Sequence, residues 1–232
     1  MNNSALFDEN MFKIFSFIDG NYRHTDTPGS GPDGDYKGSM RRPNWYQNQR
    51  SVYNGYKHIH GLHILSLMLP TGLNYIYGPN SARGGDHSAM LRSDLNGFLE
   101  EIQTNQFFDV NGNPINYATH GDQLFTPDTC ISRNHRPNGQ QELTAQQKAD
   151  NLAINFARIT IEQSYAFMDN KHKILQNTHE FKLMNGNNPH AIQLLRVVSL
   201  YSNISICMNG MQVNNMNTFF CPAPSLDEYL TL

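Results

Sequence analysis

FSFIDG, residues 15–20, is the stretch on which the reading of this chain turns. Phe12, Ile14, Phe15, Phe17 and Ile18 follow one another with almost no polar relief. So continuous an apolar run marks a strand buried on both faces, in the middle of a sheet. The run stops at one carboxylate, Asp19, and a glycine, Gly20. In open α/β sheets ligands bind outside the carboxyl ends of the strands, so Asp19 is expected at the rim, anchored from below by the phenylalanines. An isolated Asp-Gly commonly means no more than a turn, and the rest of the chain has to decide between the two.

A length of 232 residues suits one domain with a substantial core. Charged residues make up only 16% and the formal net charge is −3, so nothing global attracts nucleic acid and any contact with DNA has to be local. Cys130, Cys207 and Cys221 form no C-x-x-C pair, which argues against a thiolate zinc site or a disulfide framework and fits a reducing compartment. No run approaches the roughly 18 apolar residues of a membrane helix. The start, MNNSALFDEN, lacks the basic and apolar regions of a signal peptide. Nucleus or cytoplasm is expected, with neither secretion nor membrane insertion.

Around FSFIDG the chain divides into a short lead (1–14), a single domain (15–209) and a tail (210–232). The lead is too short for a helix-turn-helix module ahead of the first strand. Asn21 to Asn48, rich in Gly, Pro, Asp and Arg, reads as a long loop. Beyond it, QRSVYNGYKHIHGLHILSLMLPTGLNYIYG is dense in β-prone residues and broken by Pro70-Thr71-Gly72, which predicts an antiparallel hairpin beside the first strand. HSAMLRSDLNGFLEEI has helical spacing, with Asp86 as its N-cap. Ile115, Tyr117 and Ala118 form a short strand closed by Gly121-Asp122, so a second carboxylate ends a second strand. Thr126 to Gln141 reads as loop, and a long helix starts at Thr144, where Gln147 completes a capping box. Ala191 to Cys207 is an apolar helix expected in the interior, and the Pro-broken tail is expected to trail along the surface or fray.

Asn151, Asn155, Arg158 and Glu162 form one polar stripe on the long helix, and Leu152, Phe156, Ile159 and Tyr165 or Phe167 supply its apolar faces. An Arg158–Glu162 pair at i, i+4 is equally an ordinary surface ion pair worth a few tenths of a kcal/mol. His58, His60 and His63 lack a fourth ligand of suitable spacing for zinc and read as strand histidines. Arg41, Arg42, Trp45, Arg50 and Lys57 are the densest basic and aromatic cluster. Phosphate contact by Arg41, Arg42, Arg50 and Lys57, or a solvated loop, explains it equally well.

FSFIDG, QRSVYNGYKHIHGL with PTGL, a GP…RGG…HSAML segment, GDQLF and N…RI-x-IE-x-x-x-AF occur in an order that resembles the nuclease domain of PIF/Harbinger-type transposases, DDE superfamily endonucleases, from about Phe15 to Asn209. The resemblance implies an α/β, ribonuclease-H-like mixed sheet flanked by helices. It also implies three catalytic acids, Asp19, Asp122 and Glu162, holding Mg²⁺ or Mn²⁺ for cleavage of DNA. Hard divalent cations prefer oxygen ligands, and two of them about 3.5 to 4 Å apart stabilise both the attacking and the leaving oxygen of an in-line displacement. Relatives carry His or Asn followed by Asp where this chain has Asp86-His87, the apparent reverse; both residues join Asn155 and Arg158 as supporting candidates. No DNA-reading module precedes the first strand here, so a separate DNA-binding protein is an expected partner. The competing class is a domesticated, catalytically inactive domain kept for binding.

Overall fold

A long central strand, β1 (Phe12–His24), organises the sheet. The computed structural model describes residues 12–25, 50–93, 95–105, 107–108, 111–112, 114–125, 131–176, 189–210 and 221–231. On one side β1 pairs antiparallel with β3 (Ile59–Met68), which carries β2 (Tyr53–Asn54) and the hairpin partner β4 (Asn74–Ser81). On the other side β1 pairs parallel with β6 (Pro114–His120), which carries β5 (Phe107–Phe108) and, in parallel, β7 (Ile131–Ser132). The result is a seven-stranded mixed sheet. Helices cover both faces: α1 (Asp86–Arg92) and α2 (Leu95–Thr104) on one, α3 (Ala145–Lys171) and α4 (Pro189–Asn209) on the other. This is the α/β architecture expected from the sequence, consistent with a ribonuclease-H-like fold.

Strand alternation divides the core in two. Ile14, Phe17, Leu62, Ile64 and Met68 pack toward Ile154, Ala157, Ile161, Tyr165 and Met168 of α3 and Leu195 and Val198 of α4. Ile18, Leu65 and Leu67 face the other way, toward Ala89, Met90, Leu95, Leu99, Phe125 and Ile131. Phe17 and Ile18 therefore bury opposite faces of one strand, each stabilising the fold by about 1.5 to 3 kcal/mol.

Several local expectations need correction. β1 does not end at Asp19 but continues through Asn21, Tyr22 and Arg23, paired with β3 as far as His24↔Gly61. These polar residues read as loop in sequence, yet Arg23 is buried against Asp169 of α3 at 2.6 Å and Tyr22 stacks on His63. The expected helix after Gly85 is broken at Ser93, whose N–H and Oγ close onto Ala89 and Met90 carbonyls. On α3 the buried stripe is Ile154, Ala157, Thr160, Ile161, Tyr165 and Met168, while Leu152, Phe156 and Ile159 lie exposed. α4 is not interior: it buries Leu195, Val198, Ser199, Ser202 and Asn203 and exposes Val197, Leu200 and Tyr201.

The buried polar residues of α4 have a partner. Asn203 accepts from the Asn74 N–H and donates to the Asn74 carbonyl, which also takes the Ser199 hydroxyl. The described part of the tail, residues 221–231, runs along the surface but is held in place. The Cys221 N–H donates to the Pro70 carbonyl, and α5 (Leu226–Leu230), opened by a Ser225–Glu228 capping box, brings the Tyr229 hydroxyl to Asn203.

Candidate active site at the end of the parallel strand pair

The pairing of β1 with β6 ends at Phe17↔His120, so Asp19 and Asp122 each lie two residues beyond the last pair, toward the same end of the parallel strands. β6 has stopped by then, whereas β1 continues with β3 on its other side. A glycine makes this approach possible. A Cβ on Gly121 would lie 2.7 to 2.9 Å from Phe125, Ile131 and Ile18, so only glycine lets the chain after β6 settle against the residue preceding Asp19. The Asp122 carboxylate then accepts its neighbour's N–H, from Gln123, and its carbonyl accepts from Phe125 at 3.2 Å, which fixes a tight turn.

α3 brings the third acid. Its buried stripe lies on β1, and the Tyr165 hydroxyl donates to the backbone carbonyl of Asp19 at 2.9 Å. Arg158 and Glu162, each one position past a buried residue of that stripe, reach the same edge. The Arg158 guanidinium stands 4.0 Å from Asp19 and 3.9 Å from Glu162, so the i, i+4 pair and the approach to Asp19 coexist. Asp19 is 16% exposed and Glu162 58%. Further up the stripe, Asn155 and Asn151 are committed elsewhere. Asn155 accepts from the Asn134 side chain, and Asn151 exchanges two hydrogen bonds with the backbone of His135, so both fasten the loop after β7.

Asp86 is not the helix cap. Gly85 caps α1, and Asp86, its first residue, is buried with its carboxylate 2.7 Å from Nε2 of His63, a fully buried histidine of β3. The carboxylate lies over Gly20, where any Cβ would collide with it. Burial pushes the Asp19 carboxyl up to about 6; Arg158 and the Gly20 N–H oppose the rise, while Asp86 and Glu162 add to it. His120, beside the acids, is held down to about 4 by burial and by Arg158, with Nδ1 2.9 Å from the Ser132 hydroxyl. His120 has no assigned role on sequence alone, although a histidine in the run YATHGD is the visible signal.

The remaining candidates are scattered. His87 is half-buried in the first turn of α1. His58 sits in a turn at φ 55° with Nδ1 3.2 Å from the Tyr53 hydroxyl, and His60 packs on the Tyr53 ring, so the three histidines share no site. Arg50 and Lys57 are exposed near β2, past the far end of β1, the Lys57 ammonium lying over the Tyr56 ring. Arg41, Arg42 and Trp45 lie outside the described residues.

Divalent cations fit this donor set chemically. It is all carboxylate oxygen, and burial, with smaller contributions from Asp86 and Glu162, raises the cost of the bare Asp19 charge that a cation would offset. Among the described residues, no three His, Cys, Asp or Glu side chains converge closely enough to hold an ion. No helix among them is long and apolar enough to cross a membrane.

Comparison with protein families matches the model of the DDE superfamily endonucleases to residues 37–199. Asp86, Asp122, Arg158 and Glu162 fall inside it, and Asp19 precedes it, so the match is shorter at both ends than the motifs suggest. No curated protein and no solved structure matches the chain.

Proposed function

The chain belongs to the DDE superfamily endonucleases, and from that premise we propose that it is a transposase-derived nuclease domain of the PIF/Harbinger type, cutting DNA phosphodiesters with Asp19, Asp122 and Glu162 as its catalytic acids. The observation that supports the reading is the register of β1 on β6, whose last pair, Phe17↔His120, leaves Asp19 and Asp122 two residues further along neighbouring parallel strands, while α3, which bears Glu162, packs on β1. The three carboxylates do not converge on one point in this structure; Mg²⁺ or Mn²⁺ drawing them together would supply stabilisation of charge on the attacking and leaving oxygens. The protein's own contributions are separable. Tyr165 fixes the backbone of Asp19, Asp86 and His63 pack over Gly20 on the opposite face of β1, and Arg158 orients the Asp19 and Glu162 carboxylates and offers a guanidinium to a phosphate. With a net charge of −3, sequence selection would come from a separate DNA-binding protein, in the nucleus or the cytoplasm.

The exposure of Glu162 and its pairing with Arg158 support a second reading, a domain kept for binding and without catalysis. Titrating Mn²⁺ into wild type and Glu162→Gln, with thermal unfolding and plasmid cleavage as readouts, separates the two. The catalytic reading expects metal to raise the wild-type midpoint, the variant to bind metal more weakly, and its cleavage to fall at least 100-fold. Equal affinity in the two proteins removes Glu162 from the site. Neither stabilisation nor cleavage in wild type favours the binding reading.

A further inference from the structure

The loop after β7 carries Arg133, His135 and Arg136, and its connections to the acid edge are unusually dense. Ile131 and Ser132 pair with Thr119 and His120 of β6, and the Gly121 N–H donates to the Ser132 carbonyl at 3.0 Å. α3 holds the loop from outside through Asn151 and Asn155. The two arginines then reach across to the turn that contains Asp122: Arg133 donates to the Phe125 carbonyl at 2.8 Å and Arg136 to the Gln123 carbonyl at 3.3 Å. Among the described residues neither guanidinium is paired with a carboxylate. The loop thus fixes two positive charges beside Asp122, on a protein whose formal charge is negative.

Resting on the endonuclease reading, we propose that Arg136, positioned with Arg133 on this loop, grips the DNA backbone next to the phosphodiester presented to Asp122. A carbonyl engages one edge of a guanidinium, and the rest of its five-donor fork suits two phosphate oxygens at once. The partner is a phosphate strand and not an acidic protein, because these charges border the carboxylate edge at which a phosphodiester has to lie. Arg136 is exposed while Arg133 is half-buried, so Arg136 is the member that meets the strand and Arg133 holds the turn. The basic cluster singled out in the sequence, by contrast, has its described members Arg50 and Lys57 at the distant β2 corner.

Fluorescence anisotropy of a labelled duplex oligonucleotide, with Ca²⁺ in place of the catalytic ions and a salt series for each protein, tests this. Each neutralised phosphate contributes about 0.9 to the slope of log affinity against log salt. Arg136→Gln is expected to lower that slope by about one and weaken binding roughly tenfold at 0.1 M salt, with no change in Tm. Arg136→Lys should recover part of the affinity by restoring the point charge. Arg196→Gln, removing an exposed cation of α4, should leave both quantities alone. If wild type binds and Arg136→Gln keeps its affinity and slope, the inference is overturned. A lower Tm with unchanged affinity would make Arg136 only a clamp on the Gln123 carbonyl, which overturns it equally. No binding by wild type would overturn the endonuclease reading itself and this inference with it.

Discussion

Asp19 is a residue that the fold tolerates at a cost. Its carboxyl titrates at about 6 against an ordinary 3.8, so the ionised form is disfavoured in the folded state, and the loss of stability grows as pH rises from 3.8 through 6. Asp19→Asn removes that charge, and at pH 7 urea denaturation should find the variant more stable by up to about 3 kcal/mol, while the proposed metal-dependent cleavage should be lost. A destabilised variant would contradict the electrostatic account. Gly121 should behave oppositely. Gly121→Ala forces a methyl into Phe125, Ile131 and Ile18 and should cost about 1 to 3 kcal/mol by overpacking, measured the same way. Asp19 and Asp122 stand out in the sequence because an acid following an apolar run is a local pattern, but that β1 continues past Asp19 to His24 is not visible there. The Asp86–His63 contact is not visible there either. Nothing local says that Asp86 lies across Gly20 from a histidine of another element, and a helix-opening Asp reads as a cap wherever no stronger partner is visible.

At the scale of elements, α3 illustrates what periodicity reveals and what it hides. The Thr144–Gln147 capping box was readable and is formed in full, both hydrogen bonds present. Thr144→Ala should cost about 1 kcal/mol, seen as a lower Tm with unchanged metal affinity. The buried face was misjudged because α3 is apolar on two sides, and sequence favours the larger residues, Leu152, Phe156 and Ile159, as core. What fits against β1 and β3 is the stripe with small members, Ala157 and Thr160. β7 and β5, two residues each, carry no period long enough to detect. α4 deceived in the same way as α3, since its function in the fold rests on Asn203 and Ser199 gripping the start of β4. Asn203→Leu leaves the Asn74 N–H without its partner in a buried place and should cost about 2 to 3 kcal/mol in urea denaturation. A loss below 0.5 kcal/mol would mean that Asn203 is not the latch.

Across the whole molecule the titrations of Asp19 and His120 oppose one another. His120 is buried neutral with its pKa near 4, below the usual 6.5, so the stability it lends is complete above 6.5 and is lost as pH falls toward 4, by up to about 3 kcal/mol. Asp19 gains stability over much of the same interval as it protonates. Their sum in wild type should be nearly flat from pH 6.5 to 4. Taken as the difference from wild type, Asp19→Asn should show an advantage that shrinks by about 3 kcal/mol as pH falls through that interval. His120→Asn should show the mirror image, becoming more favourable on acidification, and parallel curves for all three proteins would contradict both assignments. The overall α/β plan was accessible from the alternation of strand and helix signals. The strand order around β1 was only partly so, because which strand takes the parallel side depends on contacts between distant parts of the chain.

The two sides of β1 also differ in how far along the chain their partners lie. β3 and β4 close on each other through a short turn and lie nearer to β1 in sequence than β6 does, whose pairing joins Phe12 to Asn116. Long loops cost more entropy to close before any contact rewards them, so the antiparallel half should organise first during folding and the parallel pair last. The early half already contains Asp19, Gly20, His63 and Asp86, and Asp122 arrives only with β6. During refolding, the proposed DNA cleavage should therefore lag behind recovery of the β-sheet circular dichroism signal, and the lag reports the time taken for the two halves of the sheet to find their register.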